Sequence, residues 1–460
     1  MTKQKSVPAI KKRHRTNYPL FLTLALTLLI RILFILEVRN LPFSTISPQI
    51  VDSWAYHRWA LEILKGNFWG TDVFFLRPLY PYLLALLYTL FGQNVVVVQL
   101  FQTLLATSSC FLLYRVTEKL FNQTTALITG ISFALSGVLV FYTATLLYVE
   151  ITTFLILLTI YLLLNARDSW VRNLSAGIAS GMLVISRPEF LLLFAPLLFW
   201  LVRVEKRPLK QMAIFTTSFI ITIATIPLRN WLVARDPVIF TAHSGINFYY
   251  GNNPAADGTW QPSSALTGAL GFSHQQLKRT AKIINGVELP WSKAANYWLK
   301  QGLKFIITQP GNWLKLLSRK FLLFWANYEI PNNYYFETVR PFSRILRIAF
   351  LNFGVTATLA LLGIISTWHQ RKRLLLLYIF IGGHLVSALI FYVLSRLRAP
   401  VLPLLLIFAA AGITTLIRMM KTRQYPRLIL ALLLTVAIYT ITNLIPVNRQ
   451  TYSAQAWTQA

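Results

Sequence analysis

An all-α, polytopic membrane protein is the fold class the sequence predicts, and three observations predict it. Of 460 residues, 55% are hydrophobic and only 13% are charged, about half the charged fraction of a soluble domain. The apolar residues gather into runs approaching the roughly 20 residues that a spanning helix needs. Between the runs, Lys and Arg collect in alternate loops, the asymmetry that sets membrane orientation. The expected architecture is a bundle of about eleven transmembrane helices with interfacial helices in the outer loops.

The chain begins with a basic tail, residues 1–18, carrying six Lys or Arg among its first fifteen residues. The first apolar run extends from Pro19 to Leu36. Glu37-Val38-Arg39-Asn40 lacks the small residues of a processing site, so the run reads as a retained span. Further spans are expected at 95–115, 124–142, 146–164, 173–187, 189–202, 211–228, 345–367, 374–394, 400–417 and 428–445. The shorter ones require tilt or local thinning of the bilayer. Residues 78–91 are apolar but short and read as an interfacial or re-entrant helix. Counting them as a full span would invert everything downstream. With the N-terminus cytoplasmic, Arg115, Lys119, Arg167, Arg172, Arg203, Lys206, Arg207, Lys210, Arg371-Lys372-Arg373, Arg418, Lys421, Arg423 and Arg427 all lie inside, as the positive-inside rule requires.

That topology divides the chain into a transmembrane core at 19–228, a long and partly interfacial outer loop at 229–344, and C-terminal spans within 345–460. The core includes a first outer loop at 37–94. In that loop Ala55, Tyr56, Trp59, Ala60, Ile63 and Leu64 recur at helical spacing before the stop at Lys65-Gly66-Asn67. Such a helix lies in the interface plane. A second interfacial helix is expected at 313–326, after turn signals at Gly251-Asn252-Asn253-Pro254 and Asp257-Gly258.

The formal charge of +30 arises from 44 basic and 14 acidic residues. Spread over loops rather than gathered in a soluble domain, it argues against nucleic acid and for membrane lipids and phosphate groups. The one cysteine, Cys110, has no intrachain partner for a disulfide. No inverted repeat of the transporter kind is visible.

Few acids are available for chemistry. Glu118, Asp168 and Glu205 fall among basic neighbours in cytoplasmic loops. Asp52, Asp72, Glu150, Glu189, Asp257 and Glu329 fall on the outer side. Asp52 opens the amphipathic helix, either as an N-cap or as a general base. Glu150 stands at the mouth of an apolar span, where a carboxylate is costly and points to function. Arg77, Arg187, Arg229, Arg396 and Arg398 map to the outer edge. Their guanidinium forks match phosphate oxygens, although anchoring to headgroups accounts for any one of them alone. Glu189 follows Arg187-Pro188. His243 precedes a loop in which Asn252, Asn253, Asp257 and aromatic rings suit sugar binding; turn chemistry is the competing reading. His243 and His274 lack the spacing of metal ligands.

These motifs, in this order, resemble the C-type membrane glycosyltransferases (the GT-C superfamily), most closely family 39, the protein O-mannosyltransferases and lipid A aminoarabinose transferases. Asp52 with Tyr56 and Ala60 matches the family's first-loop acid, aromatic and alanine. Arg77-Pro78-Leu79-Tyr80 is similar to its Pro-Pro-Leu-Tyr segment. Glu150 falls where the family keeps an acid after the third span. Arg396-Leu397-Arg398-Ala399-Pro400-Val401-Leu402-Pro403 is similar to its late Arg-x-Arg-x-Pro-x-x-Pro edge, and the loop from Gly251 to Trp260 to that of bacterial members. Ser53 departs from the family's frequent Asp-Glu pair. That departure leaves open both metal dependence and the division of labour between Asp52 and Glu150.

The resemblance implies transfer of a sugar from a polyprenyl-phosphate donor to an acceptor hydroxyl, with inversion, at the extracytoplasmic face of a multi-pass protein of the bacterial plasma membrane. The acceptor would be a protein, a glycolipid or a polysaccharide. Asp52 and Glu150 are the expected catalytic residues. Tyr56, Arg77, Tyr80, Arg187, Glu189, Arg229, His243, Asn252, Asn253, Asp257, Arg396 and Arg398 are the expected substrate-binding set. No cofactor is fixed by the sequence, and a divalent metal stays open. The alternative is a transporter or flippase of lipid-linked sugars, which would place polar groups near the bilayer midplane, where the spans show few.

Overall fold

The computed structural model describes residues 17–41, 44–46, 51–166, 169–260, 286 and 289–447. Among these the regular structure is helical throughout, with no strand ladder. The helices are α1 (Tyr18–Val38), α2 (Val51–Leu64), α3 (Leu79–Phe91), α4 (Val95–Leu120), α5 (Gln123–Ala134), α6 (Gly137–Thr143), α7 (Val149–Asn165), α8 (Trp170–Ser186), α9 (Phe194–Arg203), α10 (Leu209–Ala234) and α11 (Ser244–Gly251). They continue as α12 (Trp291–Thr308), α13 (Pro310–Trp325), α14 (Phe353–Ser366), α15 (Leu375–Ile390), α16 (Leu402–Lys421) and α17 (Tyr425–Leu444).

Every expected span coincides with a helix. Among the described residues five segments (Tyr18–Val38, Val95–Leu120, Leu209–Ala234, Ser395–Lys421 and Tyr425–Leu444) are long and apolar enough to cross a bilayer. The chain is an integral, multi-pass membrane protein. At 13 residues, α3 is comparable in length with α5 (12 residues), α9 (10) and α14 (14), so its length alone does not set it apart from the helices at expected spans. Three spans differ most from their expected bounds; the sixth opens as a 3-10 turn, Pro188–Leu193, before α9. The third is broken at Leu135-Ser136, where Leu351 exchanges backbone hydrogen bonds with Gly137 and Leu135 at 3.2 Å each. The eighth starts only at Phe353, because the Asn352 side chain accepts from the Val355 amide and caps it. Just before it lies a short helix, Arg344–Ile348, whose N-terminal amides are met by the Glu37 carboxylate of α1. The interfacial helix expected at 313–326 is α13, and α12, which sequence reading overlooked, precedes it.

Small residues let the helices approach closely, as packing within a bilayer demands. An added Cβ at Gly177 of α8 would lie 2.4 Å from the Phe215 carbonyl of α10, and one at Gly363 of α14 would lie 1.8 Å from the Phe408 carbonyl of α16. The turn between α6 and α7 lacks helical hydrogen bonds, and its buried carbonyls need other partners. Two amides of α4 supply them: Gln99 donates to Ala144 O at 2.9 Å, and Gln102 to Thr143 O and Thr145 O at 2.8 and 2.9 Å. This pinned turn is the floor on which α2 rests.

Candidate active site

The face of α2 that packs inward is Ser53, Tyr56, His57 and Ala60, all buried. The Ser53 hydroxyl lies 2.7 Å from the Tyr334 hydroxyl and 3.1 Å from the Leu146 carbonyl of the pinned turn. Ser53, the departure from the family pattern, thus fixes the start of the helix. Asp52, one residue earlier, presents its carboxylate to Arg396, with which it forms an ion pair and a hydrogen bond. Burial works to raise the Asp52 pKa, but Arg396 overrides it, with His243 and Arg77 adding, so the carboxyl lies below its usual range.

Arg396 and Arg398 share one helical turn, Ser395–Arg398. Two residues apart on a helix, they face nearly opposite ways. Arg398 therefore turns from Asp52 and braces the outer loop. It donates to the carbonyls of Ala326 and Tyr328 at 2.8 Å each, pairs with Glu329 at 3.0 Å, and lies over the Phe353 ring.

Arg77 enters from the first loop. It donates to the Tyr148 hydroxyl at 2.8 Å and reaches Glu189 at 3.6 Å. Burial opposes its charge, yet Tyr148 and Glu189 hold its pKa above normal. Glu189 also pairs with Arg187 at 2.7 Å, and Arg187 donates to Leu397 O at 2.8 Å. Arg187 thereby ties the 3-10 turn after α8 to the segment that bears Arg396. A crevice beside this cluster is lined by Arg77, Glu189, His243, Asn247, Phe391 and Tyr392, among others. His243 stacks on Phe75 at 4.9 Å, and the Tyr392 hydroxyl donates to Asn247 at 3.0 Å. Tyr56 contacts Tyr80 and Tyr148 edge to face, and burial with Asp52 nearby keeps its phenol protonated.

The structure thus gathers Asp52, Tyr56, Arg77, Glu189, His243 and Arg396, with Arg187 one contact behind. It holds the other sequence candidates elsewhere. Glu150 is buried in the bundle, accepting from Thr143 at 2.8 Å, with Arg31 of α1 the main cation acting on it. Tyr80 donates to Gln102 at 2.9 Å. Arg229 donates to the Asp72 and Trp69 carbonyls and lies over the Phe74 ring, stapling the first loop to α10. Asn252 accepts from Trp313 and Lys320 and donates to Phe248 O and Ile390 O. Asn253 donates to Tyr249 O and accepts from the Ala255 amide, and Asp257 accepts from the Thr259 amide. Asn253 and Asp257 spend bonds on their own turn, which favours the turn reading over sugar contact, whereas Asn252 ties α11 to α13 and α15. Sequence reasoning missed Tyr148, Asn247 and Tyr392, for which no motif stands out. It also missed Arg31, for which a signal existed: an arginine inside the first apolar run.

Each outer carboxylate near the cluster is set against a guanidinium: Asp52 against Arg396, Glu189 against Arg187 and Arg77, Glu329 against Arg398. A divalent cation needs several oxygens converging on one point. The described residues contain no group of three or more His, Cys, Asp or Glu placed to hold one. The arrangement does not fit a divalent metal.

Residues 77–231 match the family model of the dolichyl-phosphate-mannose-protein mannosyltransferases. The match covers about a third of the chain, starts at Arg77, and leaves Asp52 and Arg396 outside it. No curated protein matches the sequence. Among solved structures, the oligosaccharyltransferase of Archaeoglobus fulgidus, tethered to an acceptor peptide, superposes with a TM-score of 0.50 at 14% identity over 96% of this chain. The chain spans 57% of that protein's length. The same archaeal enzyme in complex with an inhibitory peptide and a dolichol-phosphate gives a TM-score of 0.49 at 16% identity, covering 96% of this chain and 56% of that one. ArnT from Cupriavidus metallidurans bound to undecaprenyl phosphate gives 0.39 at 12% identity, covering 88% and 79%. The resemblance read from the sequence holds at the level of the fold: the helical layout is similar to that of the archaeal oligosaccharyltransferase.

Proposed function

We propose that the chain is a membrane glycosyltransferase that moves a sugar from a polyprenyl-phosphate donor to an acceptor hydroxyl at the extracytoplasmic face, with inversion. The observation that carries this reading is the Asp52–Arg396 pair, set beside Arg77 and Glu189 where two outer loops meet the late arginine turn. An acid to take a proton and guanidinium groups to take a phosphate lie within one cluster. The family match over 77–231 agrees with such a donor.

In the proposed step the acceptor oxygen attacks the anomeric carbon. The bond from that carbon to the phosphate oxygen breaks, and polyprenyl phosphate leaves with the electron pair. Asp52 takes the hydroxyl proton, a contribution of roughly 10²–10⁴-fold. Arg77 and Arg396 meet the charge that grows on the phosphate. While Arg396 binds Asp52, that carboxylate is a weak base. A donor phosphate that competes for the Arg396 guanidinium strips the cation from Asp52 and raises its basicity once substrate has arrived. His243, Asn247 and Tyr392 face the space left for the sugar or the acceptor, and Tyr56 packs beneath them as a neutral phenol.

The test is turnover. Purified protein in detergent, given a polyprenyl-phosphate sugar and envelope glycolipid or protein acceptors, should release free polyprenyl phosphate and lose that release on Asp52→Asn. A chain that carries lipid-linked sugar across the bilayer without releasing polyprenyl phosphate would be a transporter, and the reading would be abandoned.

A further inference from the structure

A second basic site lies at the other end of the bundle. It is a cavity of about 690 Å³, lined by Lys119 and Leu120 of α4, Leu164 and Asn165 of α7, Ser169 and Arg172 at the start of α8, Trp200, Val204 and Glu205 at the end of α9, and Lys372-Arg373 before α15. On α4, Gln99 and Gln102 underpin the turn below Asp52, while Lys119 lies 17 to 20 residues further along, about 25–30 Å at the rise of an α-helix. The cavity therefore opens at the opposite membrane surface from the Asp52 cluster.

Its charge is lopsided. Among the described lining residues, four cations face one acid, Glu205. The cations are also held in place. Lys119 donates to Leu164 O at 2.5 Å and to Asn165 Oδ1 at 2.9 Å, Arg172 to Asn165 O at 2.8 Å, and Arg373 to Lys119 O at 2.8 Å. Each bond goes to a neutral oxygen, so it positions the cation without neutralising it. A guanidinium has five N–H donors, and Arg172 and Arg373 have most of theirs left over. Lys372 is exposed at the rim. Volume and charge together suit an anion larger than a simple ion. Next to the cavity, Trp170 and Phe199 are 60% and 57% exposed, on helix ends where tryptophan belongs at the headgroup level. The basic cavity is thus continuous with a surface fit for acyl chains.

We propose that this cavity binds the phosphate headgroup of an anionic phospholipid in the leaflet opposite the Asp52 cluster. Basic pockets between helices at the membrane surface hold such headgroups. The phosphate bridges Arg172, Lys372 and Arg373, and the chains lie along α8 and α9. The site lies where four segments of the chain meet. It is independent of the glycosyltransfer reading, since none of its residues belongs to the Asp52 cluster.

Native mass spectrometry of the full chain in detergent, titrated with dioleoylphosphatidylglycerol or dioleoylphosphatidylcholine, tests this. The anionic lipid should bind at least tenfold more tightly. R172Q/K372Q should weaken it by roughly fivefold per cation removed, while Arg77→Gln, at the opposite end, should leave it unchanged. Should the double variant fail to fold, Lys372→Gln alone, at an exposed side chain, should give the fivefold loss. Equal affinity for the two lipids overturns the proposal. So does an equal loss with Arg77→Gln, or binding of inorganic phosphate or a nucleoside diphosphate where the lipid does not bind.

Discussion

Replacing Arg396 by Gln separates the two tasks given to that side chain. In the free enzyme Arg396 pairs with Asp52, and burial alone would push the carboxyl pKa the other way. The acid limb of kcat/KM reports ionisations of the free enzyme, and that of kcat those of the substrate complex. With its pKa depressed, Asp52 stays ionised until the pH falls below the usual carboxylate range, and activity in kcat/KM should persist to that point. In the complex the donor phosphate holds Arg396, Asp52 loses its strongest cation, and the acid limb of kcat should lie at higher pH. In Arg396→Gln both limbs should coincide, and both should sit at the higher position, because burial then acts on Asp52 in either state. The variant also loses one charged donor to the leaving phosphate, about 10²–10³ in kcat, or roughly 2.7–4 kcal/mol. The assay is release of polyprenyl phosphate from a saturating and a limiting donor, measured from pH 4 to pH 9. Coincident limbs in the unaltered protein, with Arg396→Gln retaining its rate within threefold, would refute the exchange of partners.

Further outcomes follow from single contacts. Asp52→Asn should lower turnover by at least the roughly 10²–10⁴-fold of general-base catalysis, with its elution from size-exclusion chromatography unchanged. Arg398→Ala should act on stability rather than chemistry: it leaves Glu329 buried without its cation, a loss of about 3–5 kcal/mol, read as a fall in melting temperature. Arg31→Met and Glu150→Gln should each destabilise, and the double variant should recover part of the loss, since removing both charges strands neither. Lys320 is buried on α13, with Asn252 Oδ1 and Leu389 O as its acceptors, and burial lowers its pKa to about 7. A base whose folded pKa is depressed penalises folding below its unfolded pKa, so stability should rise with pH between about 7 and 10. The slope should approach about 1.4 kcal/mol per pH unit, and Lys320→Met should flatten it.

The fold was legible because its cause is one-dimensional. Lipid admits helices and little else, so the apolar runs and the Lys and Arg between them already mark where helices stand. The site was legible only in part, because what decides it is direction. Arg396 and Arg398 are equivalent in the sequence, two arginines in one motif. Only the helical turn at 395–398 sends one to Asp52 and the other to the carbonyls after α13. Asn252, Asn253 and Asp257 read equally well as sugar contacts or as turn formers; the turn claims the bonds of Asn253 and Asp257, while Asn252 bonds across to α13 and α15. Glu150 was singled out for being an acid beside an apolar helix, and that reasoning was incomplete: the same cost applies to Arg31, and the opposite charges of the two groups in one bundle offset part of it. An ionisable residue inside a span therefore signals a partner before it signals a reaction. The acid of interest is the one whose partner a substrate can take away. In this chain that condition points to Asp52, whose cation Arg396 adjoins the crevice lined by Arg77 and Leu397, and away from Glu150, whose cation is sealed between α1 and α5 against the Phe133 ring.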